Sequence, residues 1–110
     1  MRSLLLVLLL VSSTVAWSQN EVGAIEGVVK DRADAAFGDA TVVLVNLSTL
    51  ECSRSRSDGS GGYRFADLRP GRYQVLVGAS GFATKVRVLK VMQGKVTKFS
   101  PRLSAVEVKN

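Results

Sequence analysis

The sequence predicts an all-β protein: seven short strands in a two-sheet β-sandwich, preceded by a helical, cleavable signal peptide. Three observations predict it. Apolar residues recur with period two along most of the chain after Gln19, as in strands with one buried face. Glycine-rich turns punctuate these stretches, from ten glycines in all. No amphipathic helical repeat occurs after Gln19. Short strands joined by short turns bury their apolar faces in two facing sheets.

Composition narrows the class further. A chain of 110 residues bounds a single domain, and 46% hydrophobic content argues against disorder. There is no His, which removes the commonest general base and the commonest metal ligand together. The single cysteine, Cys52, cannot form an intramolecular disulfide, so a small domain must rely on its core. With no His or dyad partner to activate it, Cys52 reads as a small structural residue. The charge of +6 comes from scattered Lys and Arg, the pattern of a basic solvated surface rather than a nucleic-acid footprint.

Residues 1–18 have the three parts of a secretory signal peptide. Met1-Arg2-Ser3 is a short positive start, Leu4–Val11 an unbroken apolar run, and Ser12–Ser18 a small polar exit. Ala16 and Ser18 satisfy the small-x-small rule, which places cleavage before Gln19. The apolar run is far shorter than the ~20 residues of a membrane span, and no Cys follows it as in a lipoprotein anchor. The expected organisation is a signal peptide over 1–18, a sandwich over 19–103 and a flexible tail over 104–110. The mature chain is then periplasmic, envelope-bound or secreted, without stable membrane insertion.

The first strand is Gly23–Asp31, with Ile25, Gly27 and Val29 on the buried face and Glu26, Val28 and Lys30 opposite. Ala33–Ala36 is too short to nucleate a helix. Ala40–Asn46 (ATVVLVN) is apolar on both faces, which suits a strand covered on both sides or one awaiting a partner; cover is the expected state, since a sandwich needs a strongly apolar strand. Exposure of Val43, Val45 and Leu76 as one patch would favour a protein partner, and their burial would remove that support. Asn46-Leu47-Ser48 spells a glycosylation sequon, a weak three-residue match. Glu51–Asp58 (ECSRSRSD) reads as a solvated edge strand, with Arg54 and Arg56 guarding against edge pairing. Contact of those two arginines with an anion or sugar acid is the lesser reading.

Asp58-Gly59-Ser60-Gly61-Gly62 is a tight turn, not a ligand loop. It lacks the spaced oxygen ligands and closing Glu of a calcium site, and the Lys of a phosphate loop. Tyr63 and Phe65 then point inward, with Leu68 a further anchor. Leu68-Arg69-Pro70-Gly71 is expected to close a β-hairpin through a type II turn. Tyr73, Val75, Val77 and Ala79 form the next inward face, with Arg72, Gln74 and Leu76 outward. Gly81-Phe82 reverses the chain and caps the core, and both tyrosines read as core residues with tethered hydroxyls. In Thr84–Val91, Val86 and Val88 are expected inward and Lys85 and Arg87 outward, with a bulge near Leu89-Lys90-Val91 to restore phase. Gln93-Gly94 turns into a last strand, Lys95–Leu103, in which Pro101 marks a sheet edge.

The pattern resembles a known family. Gly27-x-Val29-x-Asp31 and Asp39-Ala40-x-Val42-x-Leu44-x-Asn46 look like the opening of a carboxypeptidase regulatory-like domain. More specific is the run Ser57-Asp58, Gly61, Tyr63, Phe65, Leu68, Pro70-Gly71, Tyr73, Val75, Val77, Ala79 and Gly81-Phe82, although Ser57 stands where Thr is common. The resemblance covers roughly Gly23–Leu103. It implies a transthyretin-like (prealbumin-like) Greek-key sandwich of seven strands. Such modules accompany metallocarboxypeptidase domains, precede the plug of TonB-dependent receptors, or occur in secreted and surface proteins, and related sandwiches bind starch.

No catalytic, cofactor-binding or metal residue is implied by the resemblance, and no nucleophile-base pair appears in the sequence. No cofactor is expected, and no ligand-binding residue is assigned. The expected function is a non-enzymatic exported module supporting folding, assembly or protein interaction at the cell envelope. Its expected partner is an envelope or outer-membrane protein. The alternative is a carbohydrate-binding module taking a polysaccharide, which the scarcity of outward aromatic residues disfavours.

Overall fold

The computed structural model describes residues 21–106. The predicted signal peptide, residues 1–18, and the end of the predicted tail, residues 107–110, lie outside the described residues. The strands are β1 (Gly23–Val28), β2 (Lys30–Asp31), β3 (Thr41–Asn46), β4 (Cys52–Arg56), β5 (Gly62–Leu68), β6 (Gly71–Gly78), β7 (Lys85–Val91), β8 (Val96–Lys98) and β9 (Arg102–Leu103). β1 and β2 are two halves of the expected first strand, parted at Val29. β8 and β9 are two halves of the expected last one. The seven predicted strands are therefore all present.

Two layers enclose the core. One is a four-stranded antiparallel sheet in the order β4-β3-β6-β7; the other holds β5-β1-β8, and β2-β9 continues its central pairing. β1 pairs with β8 in parallel, Ala24 with Val96 and Glu26 with Lys98, and the same register resumes at Lys30–Arg102. Between the two segments the Ser100 hydroxyl accepts the Val28 N–H at 3.0 Å and so replaces a ladder bond. Ile25, Val29, Val42, Val75, Val77, Val91 and Leu103 are fully buried between the layers. Pro101 lies beside β9 at the sheet edge, where its missing N–H costs no ladder bond.

The expected hairpin of β5 and β6 is not one. β5 pairs with β1 in one sheet, and β6 pairs with β3 and β7 in the other. Leu68–Gly71 is an arch that carries the chain across the core, so Tyr63 and Phe65 face Tyr73, Val75 and Val77 between layers. Gly71 has φ 153°, not the value near +80° of a type II turn. The change of direction begins earlier, at a bulge in β5. Ile25 is opposite Phe65 but Gly23 is opposite Leu68, so between these pairs Ala24 alone faces two residues of β5, Ala66 and Asp67. Asp67 takes φ 56° there, and the extra residue returns Leu68 to the inward face.

β7 also departs from the expected phase. Its pairing with β6 runs unbroken from Val77–Lys85 to Gly71–Val91, without the expected bulge. β6 sends Tyr73, Val75 and Val77 inward, so their partners Leu89, Arg87 and Lys85 share that face. Val86 and Val88 therefore point outward, 49% and 44% exposed. Burying those two valines would gain about 1.5–3 kcal/mol each. The same gain comes from burying Leu89 and Val91, and it leaves the ladder intact. Arg87 is accommodated because β7 lies at the open side of the sandwich, where its guanidinium sits 5.2 Å from the Phe99 ring centre.

Residues 104–106, the described part of the expected tail, are tied to the 81–83 turn. Ala83 N–H donates to Ser104 O and Val106 N–H to Gly81 O, and Phe82 bridges Ala105. The predicted capping role of Phe82 holds: it packs on the core and meets Phe37 edge to face at 4.9 Å.

Gly27 makes the sharpest demand on sequence. A Cβ there would lie 1.7 Å from the Phe99 carbonyl oxygen. Gly27→Ala is expected to cost ~4 kcal/mol or more, enough to unfold a small domain. Gly59→Ala, where a Cβ meets nothing within 4 Å, is expected to stay within about 0.5 kcal/mol. Urea denaturation of the two variants checks the contrast.

Candidate interaction surfaces

The glycine-rich turn is closed on itself. Asp58 Oδ1 accepts the Ser60 N–H at 2.9 Å, the Ser60 hydroxyl at 2.7 Å and the Gly62 N–H at 2.8 Å. These bonds, the Ser60 hydroxyl first, hold the Asp58 carboxyl below the ordinary carboxylate range. A carboxylate so committed is a turn lock, as the sequence reading has it. Among the described residues no group of three or more His, Cys, Asp or Glu is placed to hold a metal ion. No helix among them is long and apolar enough to cross a membrane.

The other candidates fall into place around the four-stranded sheet. β4 is an edge strand, as expected, and Arg56 on it pairs with Asp39 at 3.0 Å. Cys52 is exposed at the start of β4, which corrects its reading as a structural residue. The sequon residue Asn46 uses its side-chain oxygen to accept the Ser48 and Thr49 N–H groups, capping the β3–β4 turn. Ser57 is buried; its hydroxyl accepts the Ala40 N–H and donates to Phe37 O, tying two connections together.

Both tyrosine hydroxyls are tethered, as the sequence predicts. Tyr63 donates to Phe99 O and Tyr73 to Arg69 O at 2.7 Å. Burial pushes the Tyr63 phenol up to about 12 and raises that of Tyr73. None of the described aromatic rings is exposed: four are buried, and Phe37 and Phe82 are half-buried.

Two surfaces stand out against this background. The first is the outer face of the four-stranded sheet. Cross-strand pairing sets Arg54, Val43, Leu76 and Val86 in one row and Cys52, Val45, Gln74 and Val88 in the next. The five apolar members adjoin one another, with Val86 and Val88 exposed and the others half-buried. At one end Arg72 and Lys90 stand directly opposite, a like-charge pair that destabilises a bare sheet. The second surface is a cleft of about 460 Å³ at the open side of the sandwich, lined in part by Lys85, Arg87, Lys98, Phe99 and Arg102. Sequence reasoning missed it because the expected β7 phase turned Lys85 and Arg87 away from Phe99.

Comparison with known proteins fits this architecture. The family model described as "Carboxypeptidase regulatory-like domain" matches residues 24–104. The chain belongs to that family. Solved structures similar to this carboxypeptidase regulatory-like domain include the Bacillus anthracis TIE protein, 16% identical at a TM-score of 0.68, covering 78% of this chain and 17% of that one. The minor pilin of Streptococcus agalactiae is 13% identical at a TM-score of 0.63, covering 82% and 47%. The 3-chlorocatechol 1,2-dioxygenase of Rhodococcus opacus is 10% identical at a TM-score of 0.63, covering 81% and 62%. At such identities the likeness is one of fold, and the domain spans less than two thirds of each of these chains. No curated protein matches it.

The tyrosine tethers carry a pH prediction. A phenol whose pKa is raised by folding contributes stability that is whole below the unfolded value of about 10. That contribution is lost as pH rises toward the folded value of about 12. Stability is therefore expected to fall between those limits, with phenolate absorbance appearing late for Tyr63. Tyr63→Phe should cost about 1–3 kcal/mol at neutral pH, because the Phe99 carbonyl loses its buried donor. The same variant should lose the latest phenolate step, which spectrophotometric titration reads.

Proposed function

We propose that this chain is an exported, non-enzymatic β-sandwich module that docks a protein partner at the cell envelope through the outer face of its four-stranded sheet. The observation that carries the reading is the contiguous apolar set Val43, Val45, Leu76, Val86 and Val88, where one strand sends two valines to the surface. An antiparallel sheet normally turns polar residues to water, so an apolar stripe on the solvent side needs a covering layer. The family membership and the pilin-like fold support a module that works by contact with other proteins. Export rests on the signal-peptide pattern of residues 1–18.

The alternative of carbohydrate binding lacks its usual instrument, since among the described residues no exposed ring is available to stack on a sugar. An enzymatic role lacks a metal cluster among the described residues and has no His anywhere. The catechol dioxygenases share the sandwich at 10–14% identity, which speaks to fold.

Crosslinking in expressing cells, followed by capture of the tagged chain, tests the proposal. A saturable envelope-protein adduct is expected for the native chain, reduced at least about tenfold in Val43→Asp, since burying a charge in an apolar interface costs on the order of 2 kcal/mol or more. Unfolding of that variant should shift little, because Val43 is only half-buried. Equal capture by a stably folded Val43→Asp would sink the reading, as would saturable binding of a neutral polysaccharide with no protein adduct.

A further inference from the structure

We propose that the free edge of β7 and the basic cleft beside it accept an extended segment of the partner as an added strand, a segment in which acidic and apolar residues alternate. This rests on the docking reading above and gives that partner a chemistry.

Three observations converge on β7. It ends the sheet order β4-β3-β6-β7, so its second edge has no strand beside it among the described residues. The single side-chain bond to that edge is at the far end of the strand, where Thr97 Oγ1 donates to Lys90 O. From Lys85 to Leu89 the outward-facing backbone groups of the edge have no protein partner among the described residues. An edge of this kind is a template for strand addition.

The cleft supplies the second observation. Lys85 and Arg87 on one wall face Lys98 and Arg102 on the other, and among the described residues no carboxylate lines the space between. Arg102 pairs with Asp34 at 3.0 Å and Lys98 approaches Glu26 at 4.0 Å, but Lys85 and Arg87 have no carboxylate within salt-bridge distance among the described residues. Cations gathered without acids repel one another and attract an anionic ligand. The Phe99 ring supports the Arg87 guanidinium from one face, 5.2 Å from its centre, which leaves the planar fork available to a carboxylate.

Spacing decides which anion. Lys85 and Arg87 are two residues apart on one strand, hence roughly 7 Å apart, which is the repeat of alternate side chains in an extended peptide. Val86 lies between them and Val88 beyond Arg87 on the outer side, and Val86 continues the apolar row of Leu76 and Val43. A strand added at this edge would send one set of side chains to the cations and the other set beside the valines. A simple polyanion satisfies the cleft but leaves the valines bare. A second copy pairing edge to edge through β7 would bring the same cations together, so self-association at this edge is disfavoured.

The test uses the purified full chain and a fluorescent synthetic peptide alternating glutamate and valine. Saturable binding is expected, with at least about tenfold weakening in the Lys85→Glu/Arg87→Glu variant, since reversed charges at an interface replace attraction by repulsion. An isomer with its glutamates and valines in blocks should bind about tenfold more weakly, and methylating alternate peptide amides should abolish binding for one of the two possible phases. Equal affinity for the block isomer, indifference to methylation in both phases, or preference for inorganic polyphosphate would each overturn strand addition. The two readings fail separately. If the peptide does not bind while Val43→Asp still abolishes capture, docking stands and strand addition falls. If the peptide binds but Val43→Asp leaves capture intact, the outer-face reading falls and the edge alone carries recognition.

Discussion

The contact between the first strand and the last part of the chain organises this sandwich. β1 and β8 pair in parallel, a connection that a short turn cannot make and that most of the chain intervenes to close. Three features hold it: the Phe99 N–H donates to Glu26 O, the Tyr63 hydroxyl reaches Phe99 O, and Gly27 leaves room for the Phe99 backbone. Once Phe99 is seated, its ring covers the core beside Arg87, and Pro101 leads the chain into β9. The layer of β5, β1 and β8 therefore depends on one glycine and one hydroxyl from two different strands.

Charge is arranged around that contact in two ways. On the outer face of the smaller sheet, Glu26 sits directly between Arg64 and Lys98 across the ladders, so both cations have an acid within reach. At the open side of the sandwich Lys85 and Arg87 have none among the described residues. The same strand alternates cation and valine, so both of its faces are under-partnered for a solvated edge. Such an edge is usually blunted by its charges; here the charges point into a cleft while the valines join an apolar stripe. This combination sets β7 apart from β4, the opposite edge, whose Arg56 is matched by Asp39 and which carries Ser53 and Ser55 rather than valines.

Much of this was legible in the residues. The period-two runs identify the buried set of β1, β3 and β6, and the Asp58 turn is readable because Asx geometry is local. The cleft was not legible. β7 carries two candidate phases, Val86-Val88 and Leu89-Val91, separated by a single step, and local pattern offers no reason to prefer either. The choice is made by β6, whose Tyr73, Val75 and Val77 fix which face of its antiparallel neighbour turns inward. The exposed valines, and with them the candidate site, follow from that tertiary constraint.

The sequence alone determined which residues face the core in most strands, where the chain turns, and which family the pattern belongs to, because these depend on local period and backbone freedom. Only the tertiary structure decided which strands are neighbours. β5 and β6 have the alternation of a hairpin, yet each bonds to a different sheet, because alternation records a face and not a partner. An arch and a hairpin bury the same side chains. What separates them is the β5 bulge at Asp67 and the competition of β1 and β3 for the backbone edges, and neither is written in the spacing of apolar residues.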